Sequence, residues 1–313
     1  MNKKNKSFTL IELLVVIVII GILAGVIMIS TSSSIDKANI AKIKVFEESI
    51  RNNLLLNLIS EWKLDGNTND RWGDNNALWG GVNGLNTSAT YKLESECISG
   101  KCLDFDGYDD HLEIPYNLNL SPSEVTISFW IKLTSNPNVS ADNNWRSLYR
   151  NMGGEAPFYQ YLEEVKQINF SVVVSGISYR YIGGSFCSED LTVGKWSFLT
   201  YTYSHDGYGK AYKDGILSRS GKMKTSAGSE CSGGVLQKSA SANWRISWPA
   251  GTSTPNGNGS IPGIIDEFKI YAAPLTQAQI KQNYITGLNS MFANGNISKE
   301  DYNKRINSLA YNN

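Results

Sequence analysis

Two hydrophobic patterns follow one another without a break over the first sixty residues. Residues 13–34 contain no charged side chain, and Leu13 to Ile29 is almost entirely aliphatic. A helix that crosses a membrane needs about 20 such residues. From Ile35 to Leu58, apolar residues instead recur mostly at every fourth position, which is the spacing of one helix face. Because the first proline is Pro115, the sequence predicts one long helix through both parts.

After Ser60 the pattern changes to short apolar or alternating segments that are separated by turns. Asp-Gly, the strongest short hairpin signal, occurs at residues 65–66, 106–107, 206–207 and 214–215. The segments between these turns have the length of strands, and no helical pattern separates them. The sequence therefore predicts an all-β sandwich or barrel over residues 61–275.

Residues 276–313 return to a helical pattern. Thr276 and Gln279 have the spacing of a capping box, which marks the start of a helix. Ser298 and Asp301 repeat this arrangement, with an acid in the last position. A helical hairpin is therefore predicted at this end of the chain.

Composition and charge narrow the function classes. The chain has 28 Gly, 16 Tyr and 8 Trp but only 2 His, which favours an exported β-rich domain over a metal enzyme. Lys and Arg together number 29, and so do Asp and Glu, so the formal charge is zero and a nucleic-acid partner is not expected.

The N-terminal apolar run has two features that a simple anchor does not need. Lys3, Lys4 and Lys6 precede it, which places the N-terminus on the cytoplasmic side and everything after Ser34 outside. Glu12 lies inside it, although an acid at the bilayer centre costs about 2.5–3.5 kcal/mol on insertion scales. An acid in such a place points to a function.

The sequence Phe-Thr-Leu-Ile-Glu from Phe8 to Glu12, preceded by Ser7, resembles the class III signal of type IV prepilins and type II secretion pseudopilins. The resemblance implies that prepilin peptidase cleaves between Ser7 and Phe8 and methylates the new amine. It also implies that Glu12 pairs with the terminal amine of a neighbouring pilin subunit. Residues 1–7 would be the leader and residues 8–60 the pilin-type helix, with a membrane span at about residues 8–34.

Six later segments resemble, in order, the strands of laminin-G-like, concanavalin A-like jelly rolls. The opening strand is Glu-Trp-Lys-Leu-Asp at residues 61–65, and the closing strand is Gly-Ile-Ile-Asp-Glu-Phe-Lys-Ile-Tyr at residues 263–271. The expected fold class is therefore α+β: a long N-terminal transmembrane helix, an all-β jelly-roll sandwich and a short C-terminal helical segment.

The resemblance also implies a calcium ion near the junction of the first and last strands. Ca²⁺ takes about six to eight oxygen ligands, and Asp65, Asp70 and Asp266 are the candidate ligands. The alternative is that Asp65 only makes its turn and that the loop acids are solvated.

Catalysis is not expected. Glycoside hydrolysis needs two carboxylates about 5–9.5 Å apart, but the pattern Glu-x-Asp-x-Glu does not occur. The adjacent acids at residues 163–164 and 266–267 would face opposite sides of a strand. The sequence therefore predicts a binding protein.

Five tryptophans in polar segments are candidates for stacking on sugar rings, although they could instead cap the edges of the sandwich. They are Trp72, Trp79, Trp145, Trp244 and Trp248.

The four cysteines are predicted to form disulfides, because the domain would be exported. Four cysteines allow three pairings. Cys97 and Cys102 enclose only four residues, one of them Gly100, so we predict this pair, which leaves Cys187 to pair with Cys231.

Together these observations predict a pilin-like subunit in the cytoplasmic membrane and then in a surface pilus. It would adhere to a glycan or a protein, with prepilin peptidase, other pilin subunits and the membrane as partners. The main alternative is a pseudopilin that works as a piston in type II secretion. A membrane-tethered glycan hydrolase is the third reading, and the missing acid pair counts against it.

Overall fold

The computed structural model describes residues 10–23, 54–80, 89–107, 110–136, 146–151, 158–162, 167–182, 185–186, 188–237, 243–249 and 260–311. The chain divides into two compact units, Met1–Asn53 and Leu54–Asn313. Ser7 and Phe8, where processing is predicted, lie outside the described residues.

The described part of the first unit is helix α1 (residues 10–23). It contains Glu12, and its large aliphatic side chains are between 43% and 78% exposed. Among the helices that the described residues form, none is long and apolar enough to cross a membrane.

Strands make up most of the second unit. In chain order, the described residues form β1 (Leu58–Trp62), β2 (Leu78–Gly80), β3 (Thr90–Lys92), β4 (Cys102–Asp106), β5 (His111–Ile114), β6 (Val125–Leu133), β7 (Arg146–Asn151), β8 (Phe158–Leu162), β9 (Gln167–Val174), β10 (Ile177–Tyr179), β11 (Tyr181–Ile182), β12 (Ser185–Phe186), β13 (Ser188–Asp190), β14 (Ser197–Tyr203), β15 (Tyr208–Lys213), β16 (Ile216–Lys224), β17 (Trp244–Pro249) and β18 (Pro262–Tyr271).

These strands form two antiparallel sheets. Sheet A has the order β12-β11-β16-β15-β14-β6-β18-β4-β3, and β1 also pairs with β18. Sheet B has the order β10-β9-β8-β7-β17-β5-β2, and β13 also pairs with β9. Neighbours in a sheet are often distant in sequence, as where β6 lies between β14 and β18. The predicted jelly-roll sandwich is confirmed.

The prediction that the N-terminal helix extends to residue 60 is wrong. Residues 58–60 belong to β1, whose residues Leu58, Ser60 and Trp62 are buried while those between them are partly exposed. A spacing of four is an even number, so the apolar positions that suit one helix face also lie on one face of a strand. Pairing with β18 decides in favour of the strand.

The core lies between the two sheets. It is formed by the side chains that point inward at alternate positions along the strands. In β6, Phe129 faces inward and stacks on Phe268 of β18 at 5.4 Å between ring centroids. In sheet B, Tyr149 stacks on Trp244 at 4.7 Å. Trp62 closes the core from β1 and donates its indole N–H to a backbone oxygen.

The outer face of sheet A is partly covered by the C-terminal helices, α2 (Gln277–Ala293) and α3 (Lys299–Tyr311). Thr276 caps α2 through the predicted capping box. Trp130 on this face stacks on Tyr284 of α2 at 5.4 Å. Gly287 allows the close approach, because a Cβ there would lie 2.6 Å from the Trp130 ring. Trp130 is therefore buried although it does not face the core.

Candidate functional site

The buried acid of the closing strand, Asp266, holds the loop that follows Cys97. One of its carboxylate oxygens accepts backbone N–H groups from Ile98 at 2.8 Å and Ser99 at 3.3 Å, and the other accepts that of Glu267 at 2.8 Å. Burial and the charge of Glu267 raise the pKa of Asp266, while the three N–H donors act in the opposite direction. The side chain thus joins the last strand to the disulfide loop.

Glu267, the neighbour of Asp266, belongs to an ion-pair network on the outer face of sheet A. Its carboxylate lies 3.1 Å from Lys63 and 2.8 Å from Lys269, and Lys269 also contacts Glu61 at 3.2 Å. Burial alone would raise the pKa of Glu267, but Lys269 and Lys63 outweigh it and lower the pKa to about 2. Both positive charges are therefore matched by acids, and the network ties β1 to β18.

Asp70 organises the loop that was predicted to bind calcium. Its Oδ1 accepts backbone N–H groups from Glu61, Trp72 and Gly73 at 2.9–3.0 Å. Its Oδ2 accepts the N–H of Asn75 at 3.2 Å. The carboxylate is thus a fourfold acceptor that closes the loop onto β1.

Asp65 is the third predicted calcium ligand. The structure does not bring the carboxylates of Asp65, Asp70 and Asp266 together in one group. Asp65 accepts the N–H of Lys101 at 2.6 Å, while Asp70 and Asp266 each bind other backbone donors. Within the described ranges, no three His, Cys, Asp or Glu side chains form a group that could hold a metal. Calcium stays a prediction from the sequence, and it would compete with these N–H donors for the same oxygens.

The cysteines follow the predicted pairing only in part. Cys97 and Cys102 form the predicted disulfide. The second predicted pair is wrong in this structure, because Cys231 is a free, buried thiol. Its Sγ lies 3.8 Å from the hydroxyl of Tyr203, in the core of the sandwich. Cys187 lies outside the described residues.

Replacing both Cys97 and Cys102 by serine is expected to lower the free energy of unfolding by about 2 kcal/mol, since the bond closes a short loop in the unfolded chain. Urea denaturation of the wild type and the variant measures the loss, and the wild type under reducing conditions should show a loss of the same size. Peptide mapping under non-reducing conditions should show Cys231 unbound. A peptide that joins it to Cys187 would contradict the structure.

The tryptophan candidates for sugar stacking separate into different environments. Trp72 is 48% exposed. Trp79 is 38% exposed and packs edge-on against Tyr91 at 5.9 Å, so it closes the gap between the edge strands β2 and β3. Trp244 is fully buried and shares the inward face of β17 with Ile246. The prediction that it stacks on a sugar ring is therefore wrong. Trp145 and the side chain of Trp248 lie outside the described residues.

Sequence reasoning missed a polar row on the outer face of sheet B. In the register of the sheet, Arg150 of β7 is opposite Arg245 of β17, and Arg245 is opposite Glu113 of β5. The Glu113 carboxylate lies 2.7 Å from Nη2 of Arg245 and accepts a hydrogen bond from Nδ2 of Asn243 at 2.7 Å. Burial would raise the pKa of Glu113, but these hydrogen bonds and the charge of Arg245 lower it. We call Arg150, Arg245 and Glu113 the arginine row.

The nearby strand β9 carries polar side chains on the same outer face. Ile168 and Phe170 face the core, so Asn169 and Ser171 face outward. Both are fully buried, and neither the Asn169 amide nor the Ser171 hydroxyl has a hydrogen-bond partner. The alternation Ile-Asn-Phe-Ser-Val in the sequence was the signal that could have identified this outward face.

The strand order of the two antiparallel sheets is that of a jelly-roll β-sandwich. The profile described as the concanavalin A-like lectin/glucanases superfamily matches residues 106–281. Because this match covers more than half of the chain, the protein belongs to that superfamily. The profile described as the prokaryotic N-terminal methylation motif matches residues 2–28. Both resemblances stated from the sequence are therefore confirmed. The comparison with curated proteins finds no match.

Solved structures share the fold at low sequence identity. One is domain 4 of AbnA, a GH43 extracellular arabinanase from Geobacillus stearothermophilus, in complex with arabinotriose; it is 17% identical, with a TM-score of 0.51, over 72% of this chain and 97% of that domain. Another is the binding domain of Paraclostridial Mosquitocidal Protein 1, 16% identical, with a TM-score of 0.55, over 75% of this chain and 53% of that domain.

A third similar structure is the binding domain of botulinum neurotoxin serotype D, which is 16% identical, with a TM-score of 0.50, over 75% of this chain and 53% of that domain. The chain spans about half the length of these two toxin domains. At these identities the likeness concerns the fold alone.

Proposed function

We propose that the protein is a pilin-like subunit that displays a glycan-binding jelly-roll domain on the cell surface. The observation that carries the proposal is the presence, in one chain, of a methylation motif at residues 2–28 and a concanavalin A-like domain at residues 106–281. The motif implies processing by prepilin peptidase and assembly with other pilins. The apolar run would cross the cytoplasmic membrane with its N-terminus inside, and the sandwich would act as a binder without catalysis.

Two features support a glycan as the ligand. The outer face of sheet B carries charged and amide side chains rather than a continuous apolar surface. Polar groups that fix the orientation of a ligand are usual elements of a ligand site. The similar domain 4 of AbnA was solved with arabinotriose, and we extend that ligand class to this chain as part of the proposal.

The mature chain is expected to begin at an N-methylated Phe8, since the motif places the cleavage after Ser7. Intact-mass analysis of the protein from membranes checks this result, with cells that lack prepilin peptidase as the control for the uncleaved form. A protein that still begins at Met1 in normal cells would contradict the pilin assignment.

Binding and location are tested separately. Wild-type chain in detergent is applied to a glycan array and to a panel of host-surface proteins, and we expect binding to glycans. If the chain binds proteins and no glycan, the proposed ligand becomes a protein. Antibody labelling of sheared surface filaments should detect the chain. Its absence from filaments, together with loss of secretion on deletion, would favour the secretion pseudopilin.

A further inference from the structure

The arginine row crosses adjacent strands on one face of sheet B. Residues directly opposite each other in an antiparallel pair have Cβ atoms about 4.5–5.5 Å apart. Leu78 of β2 continues the row beyond Glu113, because these two residues are opposite each other and Leu78 is 59% exposed. From β2 through β5, β17, β7 and β8 to β9, a row of this kind extends over about 24 Å at the usual strand spacing.

The charges within the arginine row do not balance. Glu113 is committed to Arg245, which approaches it through both Nη2 at 2.7 Å and Nε at 2.9 Å. The side chain of Arg150 is half-buried and makes no ion pair or hydrogen bond within the described part of the chain. Two like charges directly opposite each other on a sheet are destabilising. The row therefore carries an excess positive charge, with one guanidinium group available to an anion.

The polar side chains of β9 lie toward the other end of this row. Ser171 is opposite Tyr159 of β8 in the register, and β8 is the neighbour of β7, which carries Arg150. A buried polar group without a partner costs about 1–3 kcal/mol. The Asn169 amide offers both a donor and an acceptor, and the Ser171 hydroxyl does the same. This end of the face therefore suits a ligand rich in hydroxyl groups.

We infer that the outer face of sheet B binds a glycan whose sugar rings carry carboxylate groups. The guanidinium fork of Arg150 matches a carboxylate with two parallel hydrogen bonds. Since Asn169 and Ser171 are enclosed, the primary contact is at Arg150. A hydrogen bond from either of them to a sugar hydroxyl requires rearrangement of the residues that cover them on binding. The inference rests on the proposed function and names the ligand class.

The test compares acidic glycans with their uncharged counterparts. Full-length chain in detergent is titrated with polygalacturonate, alginate and hyaluronan, and with the same polymers after reduction of their carboxyl groups. We expect at least one acidic polymer to bind about tenfold or more tightly than its reduced form, which is the effect of one charge-assisted hydrogen-bonded contact. Raising the salt concentration should reduce this preference.

Variants locate the contact. Arg150→Gln is expected to abolish the preference for the acidic polymer, so that this polymer binds no more tightly than its reduced form. Arg150→Lys keeps the charge without the fork and should retain part of the preference. Lys210→Gln removes an exposed charge from β15 of sheet A and serves as the control. Asn169→Leu should weaken both polymers without loss of stability, because the amide has no partner to lose.

The outcomes separate this inference from the proposed function. Equal binding of acidic and reduced polymers, or an acidic preference that survives Arg150→Gln in a folded variant, would overturn the inference and leave glycan binding intact. Failure of every acidic polymer to bind would also overturn it. Absence of any glycan ligand on the array would remove the proposed function itself.

Discussion

Replacing Asp70 by alanine is expected to lower the free energy of unfolding by about 4 kcal/mol, because four backbone donors lose their acceptor at once. The carboxylate accepts four backbone N–H groups, from Glu61, Trp72, Gly73 and Asn75. Asp70 is only 8% exposed, so water is a poor substitute for these bonds. Single domains are stable by only about 5–15 kcal/mol, so the variant should be strongly destabilised.

Urea denaturation of the wild type and variants measures this loss. Asp74→Ala is the matched control, since Asp74 is an exposed acid in the same loop and should change stability little. Asp70→Asn should fall between the two, because one oxygen remains an acceptor. Equal stability of Asp70→Ala and wild type would refute the loop-closing role.

The same samples test the predicted calcium ion. If calcium binds, excess calcium should raise the melting temperature of the wild type and a chelator should lower it. Asp266→Asn should then lose the difference between the two conditions. A melting temperature that is identical with calcium and with chelator would contradict the prediction.

Glu12→Ala is expected to remove the chain from filaments while leaving its membrane insertion intact. The substitution removes the one charge in an apolar helix, which favours insertion. The resemblance to prepilins assigns Glu12 to a pair with a neighbouring subunit's N-terminal amine. Breaking one side of a buried charge pair costs about 3–5 kcal/mol, so incorporation should fall on the order of 100-fold or more.

Filament yield, measured by shearing and immunoblotting, and membrane content, measured by fractionation, check this result together. Glu12→Gln keeps the size of the side chain but not its charge and should also fail to assemble. Leu13→Ala changes the adjacent position without touching the charge and serves as the control. Normal filaments from Glu12→Ala would show that the acid has no pairing role.

Features that depend on residues a few positions apart were predicted well from the sequence. The capping box of Thr276 formed as expected, because the side chain that caps the helix lies three residues from its partner. The bond between Cys97 and Cys102 formed for the same reason. The succession of strands and Asp-Gly turns predicted a sandwich, because alternation and turn chemistry are local properties.

Several features that depend on distant strands were not predicted. Trp244 lies between polar residues in the sequence, yet the register of β17 turns it into the core against Tyr149. Cys231 was paired by elimination, yet it lies enclosed beside Tyr203. Asp70 was predicted as a solvated or calcium-binding acid, yet loop closure surrounds it with backbone donors.

The sequence by itself determined the order of the elements and the class of the protein, because periodicity, caps, turns and the N-terminal motif are all written in contiguous residues. Only the tertiary structure decided that Glu113, Arg150 and Arg245 lie in one row. They come from β5, β7 and β17, which become neighbours through the strand order of sheet B. That order is set by the packing of whole faces against the core, which no local pattern contains.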